Sequence, residues 1–365
     1  MQPVKILVVL PNLQRGGAER VVSLLTQEWA KQHDVVMVLF DGRDAAYAHG
    51  GRLIDLERPP AKAQIARAAQ WLMRAELLRR VIRREDPDHI FSFLEIANFP
   101  TILASAASGT LSRLAVSVRN NPQQFPAGQR LLMPVLYRMP RQVVAVSAGV
   151  AERLEGVFGL PSERISVIPN PLDMSLIEAG RREPPARTAM PQGRRFILGV
   201  GRLVHQKGFD LLIEAYSRVS PDFDVDLVIL GEGPERPALE SLVRDLGLTH
   251  RVFLPGATTN PFAFMARAQV FVLSSRFEGW PNALVEAMAT GVAVAAFDCP
   301  CGPSEIIEDR VSGAIVAAQD PGGLAEAVKE LLAKDGLRAS YGQRAEAAVS
   351  KYTVEGVAGQ WLRLV

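Results

Sequence analysis

The chain has 365 residues, 48% hydrophobic and 22% charged, with a net charge of +2, the balance of a globular protein long enough for two or three domains. That composition excludes fibrous and disordered classes, and no run reaches the ~18 apolar residues that a membrane-spanning helix requires. The charge is uneven: residues 1–170 hold 21 Lys and Arg against 15 Asp and Glu, so an anionic partner is expected on the first half.

Residues 4–10, within MQPVKILVVL, read as a buried first strand, too short and wrongly flanked for a signal peptide, so a cytoplasmic protein is expected. The segment PNLQRGGAER follows, then a helix over 18–31 with Val21, Leu24 and Leu25 at helical spacing. Gly16 and Gly17 permit close backbone approach of a ligand at that helix start, with Glu19 in its first turn, but the loop lacks the phosphate-loop and dinucleotide spacings. Strands are expected at 34–40 and 52–56. A basic helix spans 62–84, its apolar stripe carrying Trp71, Leu78, Val81 and Ile82. Arg67 and Arg74 also fall on that stripe, misplaced for a simple core helix, which reads as snorkelling or as a helix break between them.

After a strand at 89–93, SFLEIANFP opens the next helix, and SVRNNP ends another strand. Both loops leave carboxyl ends of expected parallel strands, where open α/β sheets bind ligands, so Glu95, Asn98, Arg119 and Asn120 are ligand-binding candidates. No acid occurs between Glu95 and Glu152, and QRLLMPVLYRM at 129–139 in that region reads as a membrane-surface or a core segment. A strand at 143–146, a helix capped by Ser147 and RISVIPNPLD complete a first domain over 1–175. The Pro-rich stretch 176–195 reads as a linker, 196–350 as a second domain, and 351–365 as a terminal helix.

The second half restarts with a strand at 196–200 and the loop GRLVHQKG, whose Arg202 and Lys207 can clamp a diphosphate. A strand at 225–230 ends in GEGPER, with Gly231 in a turn facing a ligand, and VFLPG at 252–256 contains Leu254. Asp224 and Asp226 form a D-x-D at the head of an apolar strand and read as incidental. Next comes LSSRFEGWPNALVEAMAT, a strand, a Gly/Pro turn and a helix starting near Pro281 or Asn282. Glu278 lies at the corner and Glu286 two turns into the helix, while free amides of Asn282, Ala283 and Leu284 are expected to suit a phosphate. Cys299 and Cys301, one residue apart around Pro300, read as reduced, non-catalytic thiols.

The string FEGWPNALVEAMATG, with the GG-x-E, GRLVHQKG and VFLPG segments, resembles the retaining nucleotide-sugar glycosyltransferases of family four. The resemblance implies the α/β GT-B fold, two doubly wound Rossmann-like domains facing across a cleft, with the terminal helix crossing back onto the first. It implies that Glu278 serves the transferred sugar and Glu286 the ribose hydroxyls. Gly16, Gly17, Arg202, Lys207, Gly231, Leu254, Gly279, Trp280, Pro281, Asn282, Ala283 and Leu284 would bind the donor, with Arg202 and Lys207 stabilising the leaving diphosphate. Glu19, Arg67, Arg74, Glu95, Asn98, Arg119 and Asn120 would stand on the acceptor side, where Arg67 and Arg74 of the basic helix could bind the diphosphate of a lipid-linked glycan. Expected are a uridine diphosphate sugar as donor, no cofactor and no metal, and no nucleic acid partner. The sugar is galactose, glucose or an N-acetylated hexosamine, and the acceptor is a lipid-linked or other glycan at an anionic inner membrane face. Many members carry a His near the first acceptor loop; here the five His are at 33, 49, 89, 205 and 250. Two rivals are an epimerase or phosphorylase on the same scaffold, and a non-catalytic binder of sugar nucleotide or lipid.

Overall fold

In a computed structural model of the protein, residues 2–14, 16–57, 64–185 and 193–364 are described, those of 64–69 by backbone alone. The chain divides into two compact units, one of Met1–Pro171 with Tyr352–Val365, the other of Leu172–Lys351.

The first unit is built on strands β1 (Lys5–Leu10), β2 (Asp34–Leu39), β3 (Arg52–Asp55), β4 (His89–Phe93), β5 (Leu114–Val118), β6 (Gln142–Ala145) and β7 (Ile165–Val167). They form one parallel sheet in the order β3-β2-β1-β4-β5-β6-β7. In β1 every residue after Lys5 is buried, which is why KILVVL has no polar alternation: a central parallel strand is covered on both faces. The covering helices are α1 (Gly17–Trp29), α2 (Gln64–Glu85), α3 (Glu95–Ser108), α4 (Ala127–Leu136) and α5 (Ala148–Gly156). Val21, Val22, Leu25 and Trp29 of α1 repeat at helical spacing and bury against the sheet. Ser147 caps α5, its hydroxyl accepting from the Val150 amide at 3.2 Å.

The second unit contains α6 (Met174–Arg182), β8 (Phe196–Val200), α7 (Phe209–Val219), β9 (Asp226–Leu230), α8 (Arg236–Asp245), β10 (Val252–Gly256), α9 (Phe262–Met265), β11 (Val270–Leu273) and α10 (Asn282–Ala289). It continues with β12 (Val294–Phe297), α11 (Pro303–Ile306), β13 (Ala314–Val316), α12 (Pro321–Ala333) and α13 (Asp335–Val349). Its parallel sheet runs β10-β9-β8-β11-β12-β13. Helix α14 (Val354–Leu362) returns to the first unit, where Trp361 packs on Phe91 and Phe93 and the Trp29 indole donates to Ala358 O at 3.1 Å.

Helices α6 and α13 depart from the sequence expectations. The expected linker 176–195 begins inside α6, which Asp173 caps by accepting from the Leu176 amide. Asn260 donates to Gly180 O at 3.0 Å and Arg181 pairs with Glu346, so α6 is part of the second unit. Prolines on both sides mask its periodicity in the sequence, and residues 186–192 of the linker lie outside the described residues. Helix α13 is likewise absent from the sequence reading, because its buried face has only two large apolar residues, Tyr341 and Val349, with Ala345 and Gly342, where a Cβ on Gly342 would come within 2.1 Å of Gly291 O.

Candidate active site

In each sheet the strand order reverses once, between β1 and β4 and between β8 and β11. Loops leaving the carboxyl ends of the strands at such a reversal splay apart and leave room for a ligand.

In the second unit those loops are 201–208 and 274–281. They are stitched together: the Arg276 amide donates to Gln206 O at 2.8 Å, Gln206 Nε2 to Phe277 O at 3.0 Å, and Ser274 Oγ to Lys207 O at 3.0 Å. Arg276 also forms a fork with Asp210 at the start of α7. The result is a rigid mount for one ion pair. Lys207 Nζ lies 2.6 Å from Glu278 Oε1, with side-chain exposures of 17% and 5%. Ser275 Oγ donates to the same oxygen at 2.7 Å. A carboxylate so enclosed is costly unless paired and hydrogen-bonded, and here it is both. Cys299 lies beside it; burial and then the Glu278 charge push that thiol well above its usual range, leaving it neutral.

In the first unit the corresponding loops follow β1, β4 and β5. Leu94, between β4 and α3, has φ 72 and ψ 145, a backbone region that non-glycine residues rarely enter. It delivers Glu95, only 8% exposed, to the first turn of α3. Burial raises the Glu95 carboxyl to about 7, opposed by its own backbone amide and by the Arg119 charge. Asn98 is fully buried, its amide nitrogen donating to Ser117 O at 2.9 Å and to Tyr137 Oη at 3.1 Å. Arg119 donates to Ser117 Oγ and to Asn170 Oδ1 and lies over the Phe93 ring; enclosure pulls it down to about 10, with Glu19 and Glu95 opposing.

The two units match two models in turn: residues 15–176 fit "Glycosyltransferase Family 4", and residues 180–348 fit "Glycosyl transferases group 1". The chain belongs to the family 4 glycosyltransferases. Among relatives of this glycosyltransferase is the N-acetylgalactosamine-N,N'-diacetylbacillosaminyl-diphospho-undecaprenol 4-alpha-N-acetylgalactosaminyltransferase of Campylobacter jejuni, 28% identical over 94% of each chain. A second Campylobacter jejuni relative, an alpha-1,4-N-acetyl-D-galactosaminyltransferase named for a diphospho-undecaprenol-linked substrate, is 24% identical over 99% of this chain and 98% of its own. Anabaena HepE, solved in complex with UDP and glucose, superposes with a TM-score of 0.82 at 19% identity, covering 99% of this chain and 98% of its own. HepE supports the GT-B fold.

The glycosyltransferase brings Lys207 and Glu278 together, while Arg202 is exposed on the same loop. Glu286 is half-buried in α10, and Gly279, Trp280 and Pro281 are buried in the turn before it. The expectation of free amides at that helix start is corrected. Asn282 N–H donates to Trp280 O at 3.0 Å and Leu284 N–H to Pro281 O at 2.9 Å, because the turn winds tightly into the helix; the expectation stands unopposed for Ala283 alone. Gly231, read as facing a ligand, is needed for backbone packing: at φ 149 its Cβ would come within 1.8 Å of Gly201 O. The carbonyl of Leu254 accepts from Arg236 at 3.0 Å. Asp226 and Asp224 are bound up with Arg194 and Arg251, an ion-pair cluster at the head of β9.

On the other unit, a Cβ on Gly16 would meet the Glu19 carboxylate, which therefore leans over the loop before Gly17 and α1. Asn120 is half-buried, its side-chain oxygen accepting from the Asn121 amide at 2.9 Å. Arg74 is corrected: it is 2% exposed with its guanidinium 4.4 Å from the Phe40 ring centroid, stacked in the interior and not displayed to a diphosphate. The side chain of Arg67 lies outside the described residues. Sequence reasoning missed Ser275, Tyr137 and Asn170. Only Ser275 had a local signal, three residues before Glu278 in the same string.

Proposed function

We propose that this protein is a retaining glycosyltransferase that moves a hexose or N-acetylhexosamine from a UDP-sugar to a lipid-linked glycan during assembly of a bacterial surface polysaccharide or glycan. The observation that carries this reading is Glu278, held by Lys207 and Ser275 at the strand-order reversal of the second sheet and inside the family string. The two Campylobacter jejuni relatives, both named for diphospho-undecaprenol-linked substrates, support the acceptor class, and HepE with UDP and glucose supports the donor class.

In this scheme the bond from the anomeric carbon to the diphosphate breaks as a bond to the acceptor oxygen forms on the same face. The hydroxyl proton leaves with the departing diphosphate, so no protein nucleophile is required. Lys207 and Arg202 offset the charge that grows on the diphosphate, the kind of preorganised electrostatic help that acts chiefly in the transition state. Glu278 orients the sugar and balances positive charge at its anomeric carbon, and Glu286 holds the ribose hydroxyls. With two cations meeting the diphosphate, the reaction runs without a divalent metal.

Contact with an anionic membrane face completes the reading. Leu131 and Val135 on α4 are 78% and 67% exposed, next to exposed Arg130 and Arg138 in the acid-free region. Among the described residues no helix is long and apolar enough to cross a membrane.

The test incubates the purified protein with UDP-, GDP- and ADP-sugars, with and without EDTA and bacterial lipid extract, and follows nucleoside diphosphate release. Expected is EDTA-resistant release from a UDP-sugar, raised by lipid extract and reduced at least a hundredfold in Glu278→Gln, with the α-linked product anomer seen by NMR. Release raised only by soluble acceptors would remove the lipid-linked acceptor, and nucleotide binding without any release would leave a non-catalytic binder.

A further inference from the structure

The polar atoms around Glu95 do not balance. Glu95 Oε1 and Asn98 Oδ1 are both buried and, among the described residues, neither has a hydrogen-bond partner. The orientation of the Asn98 amide is fixed by chemistry, since its nitrogen must face the Ser117 carbonyl and its oxygen therefore faces elsewhere. The two oxygens belong to residues three apart on the first turn of a 14-residue helix, hence on one face. Buried acceptors without donors are rare in native proteins and ask for an explanation. Here the explanation has a direction: both atoms are acceptors, and neither meets a donor among the described residues. It also lies behind a strained non-glycine residue, Leu94, at the strand-order reversal of the sheet.

We propose that Glu95, positioned by Asn98, is the subsite that receives a neutral sugar hydroxyl of the acceptor, the hydroxyl donating its hydrogen bond to the Glu95 carboxylate. This rests on the glycosyltransferase reading for the identity of the sugar as acceptor. A phosphate fits the place poorly, because it brings negative charge against a carboxylate. The groups facing Glu95 agree with this assignment. Arg119, from the end of β5, favours the ionised carboxylate, Glu19 of α1 faces that same Arg119, and the Tyr137 oxygen just after α4 accepts from the Asn98 amide. Glu95 thus binds by accepting a hydrogen bond. No proton transfer to it is invoked.

The experiment measures binding of methyl glycosides of glucose, galactose, N-acetylglucosamine and N-acetylgalactosamine to the full chain by saturation-transfer NMR at pH 6 and pH 8. UDP titration on the same samples reports the second unit. Expected is binding of at least one glycoside, tighter at pH 8 than at pH 6 and not displaced by inorganic phosphate. Glu95→Gln should weaken it at least tenfold and flatten the pH difference, with UDP affinity unchanged. Should Gln disturb the first unit, seen in the fluorescence of its tryptophans, Glu95→Asp keeps the charge but withdraws it by one methylene and is held to the same tenfold criterion. Equal binding by wild type and variants, displacement by phosphate, or no glycoside binding to the wild type would each overturn the subsite. Failure of the glycosyltransferase reading is a separate result: glycosides bind through Glu95, yet no donor is turned over.

Discussion

Burial at Glu95 has a thermodynamic cost that can be read in the stability of the protein. Its carboxyl is raised from 4.5 to about 7 in the folded chain, chiefly by desolvation. Between those values the folded state keeps a proton that the unfolded chain has released, so stability falls as pH rises through that window and the whole penalty is present above it. At about 1.4 kcal/mol per pH unit the penalty approaches about 3 kcal/mol. Glu95→Gln is therefore expected to be about 2–3 kcal/mol more stable than the wild type at pH 8 and equal to it near pH 4. Urea unfolding followed by the fluorescence of Trp29, Trp71 and Trp361, all in the first unit, measures it. An equal stability at both pH values would mean that a group outside the described contacts already offsets the buried charge. A residue kept at such a cost fits a binding role better than a structural one. The position of Glu95, Asn98 and Arg119 at strand ends was legible in the sequence, because strand ends follow from local apolar runs. The missing donors, Tyr137 behind Asn98 and the backbone of Leu94 were not, because they depend on contacts across tens of residues of chain.

At the scale of elements, the ion pair of Lys207 and Glu278 exists because two loops are locked edge to edge, and Gly208 is the place where they touch. Its φ is 60, and a Cβ there would come within 2.1 Å of Ser274 O, a backbone atom that cannot step aside. Gly208→Ala is expected to cost about 2–4 kcal/mol, the sum of left-handed backbone strain and overpacking, and to move Lys207 off Glu278. The comparison is Gly247→Ala, where φ is 70 but nothing lies within 4 Å of the added carbon; only strain acts there, about 1 kcal/mol. Thermal unfolding with UDP titration separates the cases: both variants lose stability, and Gly208→Ala alone loses nucleotide affinity. Equal behaviour of the two would show that the loops accommodate one another freely. The same logic explains what the sequence reading of elements got and missed. Strands such as 196–200 and 270–273 announce themselves as apolar runs between Gly-rich turns. Helices α6 and α13 do not, one being hidden among prolines and the other burying only Tyr341 and Val349 as large apolar residues, with Gly342 and Ala345 between them in the hydrophobic period.

For the whole molecule, the twice-repeated alternation of strand and helix was enough to call for two parallel α/β units, since parallel strands need crossover helices and each half restarts the pattern. The uneven charge was equally visible, but which atoms sit outside was not: the segment 129–139 read as either core or membrane surface, and α4 has one side in the core and one apolar side exposed. Met133 and the neighbouring Tyr137 are buried, whereas Leu131, Leu132 and Val135 are exposed beside Arg130 and Arg138. An apolar ridge rimmed by cations binds a bilayer by inserting the first and attracting anionic headgroups with the second, and each basic residue near the surface contributes about 1 kcal/mol. Sedimentation with vesicles of anionic and of neutral lipid distinguishes the two contributions. Wild-type protein is expected to sediment with anionic vesicles at low salt and to be released in part by 0.5 M salt, as screening shortens the reach of the charges to a few ångströms. Leu131→Glu with Val135→Glu should abolish sedimentation at every salt concentration while leaving UDP affinity intact, because the second unit is untouched. If the double variant sediments as well as the wild type, α4 is not the contact and another surface of the protein holds the vesicle; if the wild type fails to sediment with anionic vesicles, the basic charge of the first half does not act on the membrane.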